Sequence, residues 1–143
     1  MMDQLLGRWT LQHYEWRYED GAVRLPFGET PYGQLMYLPD GFMSVQITRP
    51  HRLAFASGDW LRGTPDEIRA AYESYLAYCG KYSVDVAAGT VTHHISACTI
   101  PNWTGIDMIR YFTLEDNRLT LNSPPLLLGG GVRRGLLIWE RDA

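Results

Sequence analysis

Apolar and polar residues alternate one by one through most of this chain, in short segments closed off by Gly, Pro, Asp and Asn. A period of two places successive side chains on opposite faces, so each segment reads as a strand with one buried face. From Gly7 to Arg17, Trp9, Leu11 and His13 share one face, while Arg8, Thr10 and Gln12 share the other. Glu19-Asp20-Gly21 then makes a turn. The segment Gly33 to Leu38 follows, Pro39-Asp40-Gly41 forms a hairpin turn, and Phe42 to Thr48 is its partner. In that partner Met43, Val45 and Ile47 lie together. Alternation resumes at Lys81 to Val86, Thr90 to Thr99, Ile106 to Leu114, Arg118 to Asn122 and Gly135 to Arg141.

One stretch follows a different period. Thr64 is placed to cap a helix, Pro65 suits the first helical position and Glu67 completes a capping box. Ile68, Ala71, Tyr72, Tyr75, Leu76 and Cys79 recur at helical spacing behind it, and Gly80 supplies a stop. Residues 49–63 form a long connection before the helix, of the kind that often serves as a lid. Ser123 to Gly131 reads as a Pro- and Gly-containing loop, with Gly129-Gly130-Gly131 as a flexible hairpin within it. The fold class expected is mainly β: an antiparallel up-and-down barrel of about eight strands, with one α-helix between the third and fourth strands. Residues 1–143 form a single domain in this reading, with neither linker nor repeat.

Composition excludes more than it selects. A formal charge of −3 with no basic run argues against nucleic acid and anionic membranes as partners. No apolar run approaches the roughly 20 residues of a membrane helix. Met1 to Leu6 does not read as a leader, and Cys79 and Cys98 match no metal spacing, so reduced thiols and a cytoplasmic location are expected. Motifs for nucleotides, metals and nucleophilic serines are missing, so no cofactor and no metal are expected. Five Trp, nine Tyr and four Phe supply rigid apolar surface for a core, a pocket wall or an interface, including that of a homodimer.

Two ends of the chain belong together. Gly7-Arg8-Trp9 opens the first strand and Trp139-Glu140-Arg141 closes the last. Lipocalin-type barrels carry Gly-x-Trp on strand one with a basic residue of the last strand stacked on the indole. Further matching segments are Gly33 to Ser44, Phe55-Ala56-Ser57-Gly58-Asp59, Gly63 to Glu67, Gly89 to His94, Pro101-Asn102-Trp103-Thr104-Gly105 and Leu137 to Arg141. On these the chain resembles the bacterial and fungal lipocalin-like domain family of small stand-alone proteins. The resemblance implies a calycin-type barrel. Some relatives look like cofactor-free cyclases or isomerases of polyketide-type substrates, so that chemistry enters by analogy alone.

Candidate site residues follow from the faces. His93 and His94 are adjacent on a strand and point to opposite sides, so they cannot share a metal. His93, aligned with Val91, Ile95 and Ala97, is the inward member. It reads either as a general acid–base or as a buried imidazole satisfied by a carbonyl or a Tyr hydroxyl. Asn102 reads either as a donor to a substrate carbonyl or as a partner for its own loop. Arg110 shares a face with Met108 and Phe112 and needs a carboxylate or an anionic ligand head group if that face is inward; otherwise it lies at the surface. His13 continues the Trp9 face toward the open end, with Glu15 beyond it expected in solvent. The catalytic candidates are thus His93, Asn102 and Arg110. The ligand-binding candidates are His13, Tyr37, Met43, Phe55, Tyr75, Trp103, Met108 and Phe112. Together they describe a cavity for a hydrophobic, oxygenated or aromatic small molecule, acting either as a cyclase or isomerase in secondary metabolism or as a non-catalytic carrier.

Overall fold

The computed structural model describes residues 2–128 and 131–142. Ten strands are present among them: β1 Gly7–Tyr18, β2 Val23–Arg24, β3 Tyr32–Tyr37, β4 Phe42–Thr48, β5 Tyr75–Asp85, β6 Thr90–Cys98, β7 Asp107–Glu115, β8 Arg118–Asn122, β9 Leu126–Leu128 and β10 Gly131–Arg141. The single α-helix, α1, spans Pro65–Glu73. Strand order is β1-β3-β4-β5-β6-β7-β8-β10, and β10 pairs back onto β1, closing an antiparallel barrel of eight strands. Closure removes the free edges that an open sheet would expose. The two short strands hang on its rim, β2 on β1 and β9 on β10.

Three expectations need correction. The two-residue β2 adds a strand, so α1 lies between β4 and β5 rather than between the third and fourth strands. The helix ends at Glu73, not at Gly80, and Tyr75 opens β5. No residue of α1 is buried, whereas Leu76, Tyr78, Gly80 and Tyr82 alternate into the core. Ladder bonds to both β4 and β6 therefore outweigh the helical spacing of these side chains. Gly80 is required for a different reason: a Cβ there would stand 1.9 Å from the His94 carbonyl oxygen, where β6 bulges against β5. Finally, the Ser123 to Gly131 stretch contains β9, and the remainder of its glycine run, Gly129 and Gly130, lies outside the described residues.

The lower end of the barrel is sealed as the terminal motifs suggested. The Arg141 guanidinium lies 4.3 Å from the centre of the Trp9 ring and donates to the carbonyls of Gln4 and Leu6. Trp9 Nε1 donates to Leu5 O at 2.9 Å. Above this plug the fully enclosed side chains of Leu35, Tyr37, Val91, Leu119 and Trp139 fill the lower barrel. The opposite end, beyond Trp16 and Tyr75, is partly roofed by α1 and by the 49–63 connection, whose Arg49 N–H bonds Ser74 O. The capping box holds the start of α1: Thr64 Oγ1 accepts from the Glu67 amide and Glu67 accepts from the Thr64 amide.

A two-chamber cavity and its buried polar floor

The barrel interior holds a small chamber of about 40 Å³, while a wider cleft of about 960 Å³ lies between the barrel rim, α1 and the 49–63 connection. Tyr14, Trp16, Leu76 and Trp103 line both and form the constriction between them. Two of these residues, Tyr14 and Trp16, face inward because β1 bulges between Leu11 and His13. A bulge inserts one unpaired residue and reverses the faces beyond it. The face begun by Trp9 and Leu11 therefore continues through Tyr14 and Trp16, not through His13 and Glu15.

His13 accordingly lines neither chamber. It hydrogen-bonds Glu15 Oε1 at 2.7 Å on the outer side. Glu15, expected in solvent, is covered; Arg17 bonds its other oxygen. Burial pushes the Glu15 carboxyl up, but the bonds from Arg17 and His13 outweigh it and hold the pKa below the ordinary 4.5.

The floor of the inner chamber is polar and buried. His93 of β6 is almost fully enclosed. Its Nε2 lies 2.7 Å from the Tyr37 hydroxyl and its Nδ1 lies 2.7 Å from the Tyr78 hydroxyl. Arg110 of β7 is buried on the same side, and acts on Tyr78 both as a neighbouring charge and as a hydrogen-bond donor. A guanidinium can only donate. Tyr78 Oη thus accepts from Arg110, while the single proton of the neutral imidazole serves one of the two contacts to Tyr78 and Tyr37. Burial, reinforced by the Arg110 charge, holds the His93 pKa well below 6.5. Burial also pushes the Tyr14, Tyr37 and Tyr78 hydroxyls above 10. At neutral pH these four groups are uncharged.

The other candidates distribute as follows. Trp103 stands at the constriction and Tyr75 on the wall of the outer cleft. Tyr37, Met43 and Met108 are buried core on the inward faces, and Phe112 packs against that core half-buried. The inward face of β7 is now fixed: Met108 and Arg110 are buried while Asp107, Ile109 and Tyr111 are exposed. Phe55 sits on Gly63 within the 49–63 connection and lines neither chamber. Asn102 is exposed on a short 3₁₀ turn, Pro101–Trp103, and also lines neither. Ala97, expected inward, is exposed at the β5–β6 bulge.

Sequence reading missed Tyr14, Trp16 and Tyr78. The Leu76/Tyr78/Gly80/Tyr82 alternation was a usable signal for Tyr78; nothing local marked the β1 bulge.

His94 occupies the outer face with a separate polar relay. Ser83 Oγ is 2.9 Å from its Nε2, and Asp107 Oδ1 is 2.8 Å from its Nδ1. The order resembles a hydrolytic triad, but the three residues line neither chamber and are carried by three adjacent paired strands. Amides engaged in ladders are not free to stabilise an oxyanion. We read the relay as a surface cross-strand network.

A closed eight-stranded barrel, plugged at one end by a Trp–Arg stack and opening at the other, is the calycin architecture, and the chain belongs to the lipocalin-like domain family, whose model matches residues 6–142. Among characterised proteins it is similar to the 4'-hydroxy-3'-methoxypropiophenone carrier protein of Aspergillus oryzae. The two are 31% identical over 106 residues, covering 69% of this chain and 96% of that protein. Among the described residues no helix is long and apolar enough to cross a membrane.

Proposed function

We propose that this protein is a non-catalytic binding or carrier protein for a small, oxygen-bearing aromatic molecule. The observation that carries the reading is the paired chamber: an aromatic constriction above a buried donor set. A planar ring fits against Trp16 and Trp103, whose faces stack well on aromatic ligands. A polar substituent reaches past them to Arg110. The outer cleft, near 960 Å³, falls in the size range of small-molecule sites. The name of the Aspergillus relative, a carrier of an oxygenated aryl ketone, points the same way.

A cyclase or isomerase would need a base with a free lone pair toward the ligand. Both His93 nitrogens are engaged by tyrosines at 2.7 Å, and Asn102 stands outside the cavity. These positions favour carriage over proton transfer.

The test is native mass spectrometry of the purified protein, followed by titration of its tryptophan fluorescence with 4'-hydroxy-3'-methoxypropiophenone and recovery of the compound. Saturable quenching with unchanged compound is the expected result. Conversion of the compound by the protein would refute the carrier reading, and absence of any saturable response to aromatic ketones, phenols or benzoates would refute binding.

A further inference from the structure

We propose that the inner chamber is an anion receptor, built to hold the single ionised oxygen group of an acidic aromatic ligand against Arg110. The inference rests on the binding reading above and names the ligand class for that same site. Its first support is an unbalanced charge. Arg110 is buried, and among the described residues no Asp or Glu pairs with it or lines the chamber. The groups that face it are Tyr14 from β1, Tyr37 from β3, Tyr78 from β5, His93 from β6 and the Met108 sulfur of its own strand. Each is uncharged at neutral pH. A buried cation without a counter-ion is costly, and an anionic ligand removes that cost.

The second support is independent. Trp139 also lines the chamber, and its buried indole N–H has no acceptor among the described residues. An indole N–H, like a guanidinium, can only donate. Arg110 and Trp139 thus bring two donor-only groups to the chamber wall, and no carboxylate stands among the residues that line it, the inverse of a cation site.

Size sets the rest. About 40 Å³ admits a head group of one or two oxygens but not an aromatic ring, which is left at the Trp16–Trp103 constriction. A phenolate or a carboxylate carried directly on a ring satisfies both dimensions. A neutral or cationic aromatic leaves Arg110 unbalanced.

Three ligands of nearly equal shape test this. They are 4'-hydroxy-3'-methoxypropiophenone, an acidic phenol; 3',4'-dimethoxypropiophenone, which cannot ionise; and 3,4-dimethoxybenzoate, a carboxylate without a phenol. Affinity is read by tryptophan fluorescence and ionisation of the phenol by its absorption spectrum, at a pH where the free phenol is mostly protonated. The expected result is that the phenol, the benzoate or both bind at least tenfold more tightly than the dimethoxy ketone. If the phenol is preferred, the bound form shows the phenolate band; if only the benzoate is preferred, the receptor takes carboxylates. Arg110→Met should erase the preference and Arg110→Lys should keep part of it, with circular dichroism confirming the fold. The wild-type ligand series decides the matter even if Arg110→Met does not fold. Equal affinity of the dimethoxy ketone and both acids overturns the anion receptor while leaving a carrier intact. Failure of all three to bind overturns the carrier reading and this inference together.

Discussion

Replacing His93 by Gln should remove an acid sensitivity from the fold while keeping the buried polar floor connected. The amide of Gln can both donate and accept, so it can still reach one or both tyrosine hydroxyls. What it cannot do is titrate. In the folded wild type, burial first and the Arg110 charge second hold the imidazole neutral well below its ordinary 6.5. In the unfolded chain it protonates near that value. The unfolded state therefore binds more protons as pH falls below 6.5, and stability falls with it. Above 6.5 both states are neutral, and the group contributes no slope. The limiting slope of one proton is about 1.4 kcal/mol per pH unit, so between pH 7.5 and 5.5 the wild type should lose up to about 1.4 kcal/mol through this residue. That is a sizeable share of the 5–15 kcal/mol typical of a domain. Glu15, whose pKa is lowered from 4.5, adds its own loss only as pH falls through the carboxylate range. Urea unfolding of both proteins at pH 7.5, 6.5 and 5.5 measures the difference. The wild-type advantage over His93→Gln should be constant above pH 6.5 and shrink below it. Parallel pH profiles for the two proteins would falsify the neutral, enclosed imidazole.

Gly80→Ala should destabilise the barrel by about 1–3 kcal/mol or more, because the added methyl meets a backbone carbonyl and overpacking of this kind must move the chain; thermal unfolding reads it, and a neutral result would disprove the close approach. Arg141→Ala removes the stack on Trp9 and two bonds to the carbonyls of Gln4 and Leu6, for about 1–3 kcal/mol of lost stability. Its ligand affinity should be unchanged, since the plug lies at the far end from the constriction; a variant that binds differently would show the two ends to be coupled. Trp103→Ala should weaken aromatic-ligand binding by roughly fivefold to tenfold, the equivalent of about 1–1.4 kcal/mol of lost ring contact, in a fluorescence titration. Unaltered affinity would place the ligand elsewhere.

The barrel itself was legible from local pattern. Alternation between turn residues specified most of the strands, and Thr64, Pro65 and Glu67 marked the start of α1, because caps and pleats depend on residues a few positions apart. Within that frame the inward side of β6, and with it His93, was legible too. The constriction and the floor were not. Tyr14 and Trp16 reach the cavity only through the β1 bulge, which pairing with β10 creates and no stretch of β1 announces. Tyr78 belonged by spacing to a helix and by ladder partners to a strand; two flanking strands decided it. Arg110 sat on a strand with no clear apolar side, and closure of the barrel turned it inward. The sequence determined elements, because their signals are short-range. Which side chains meet at a site depends on register between strands distant in sequence, and only the closed tertiary structure decides that.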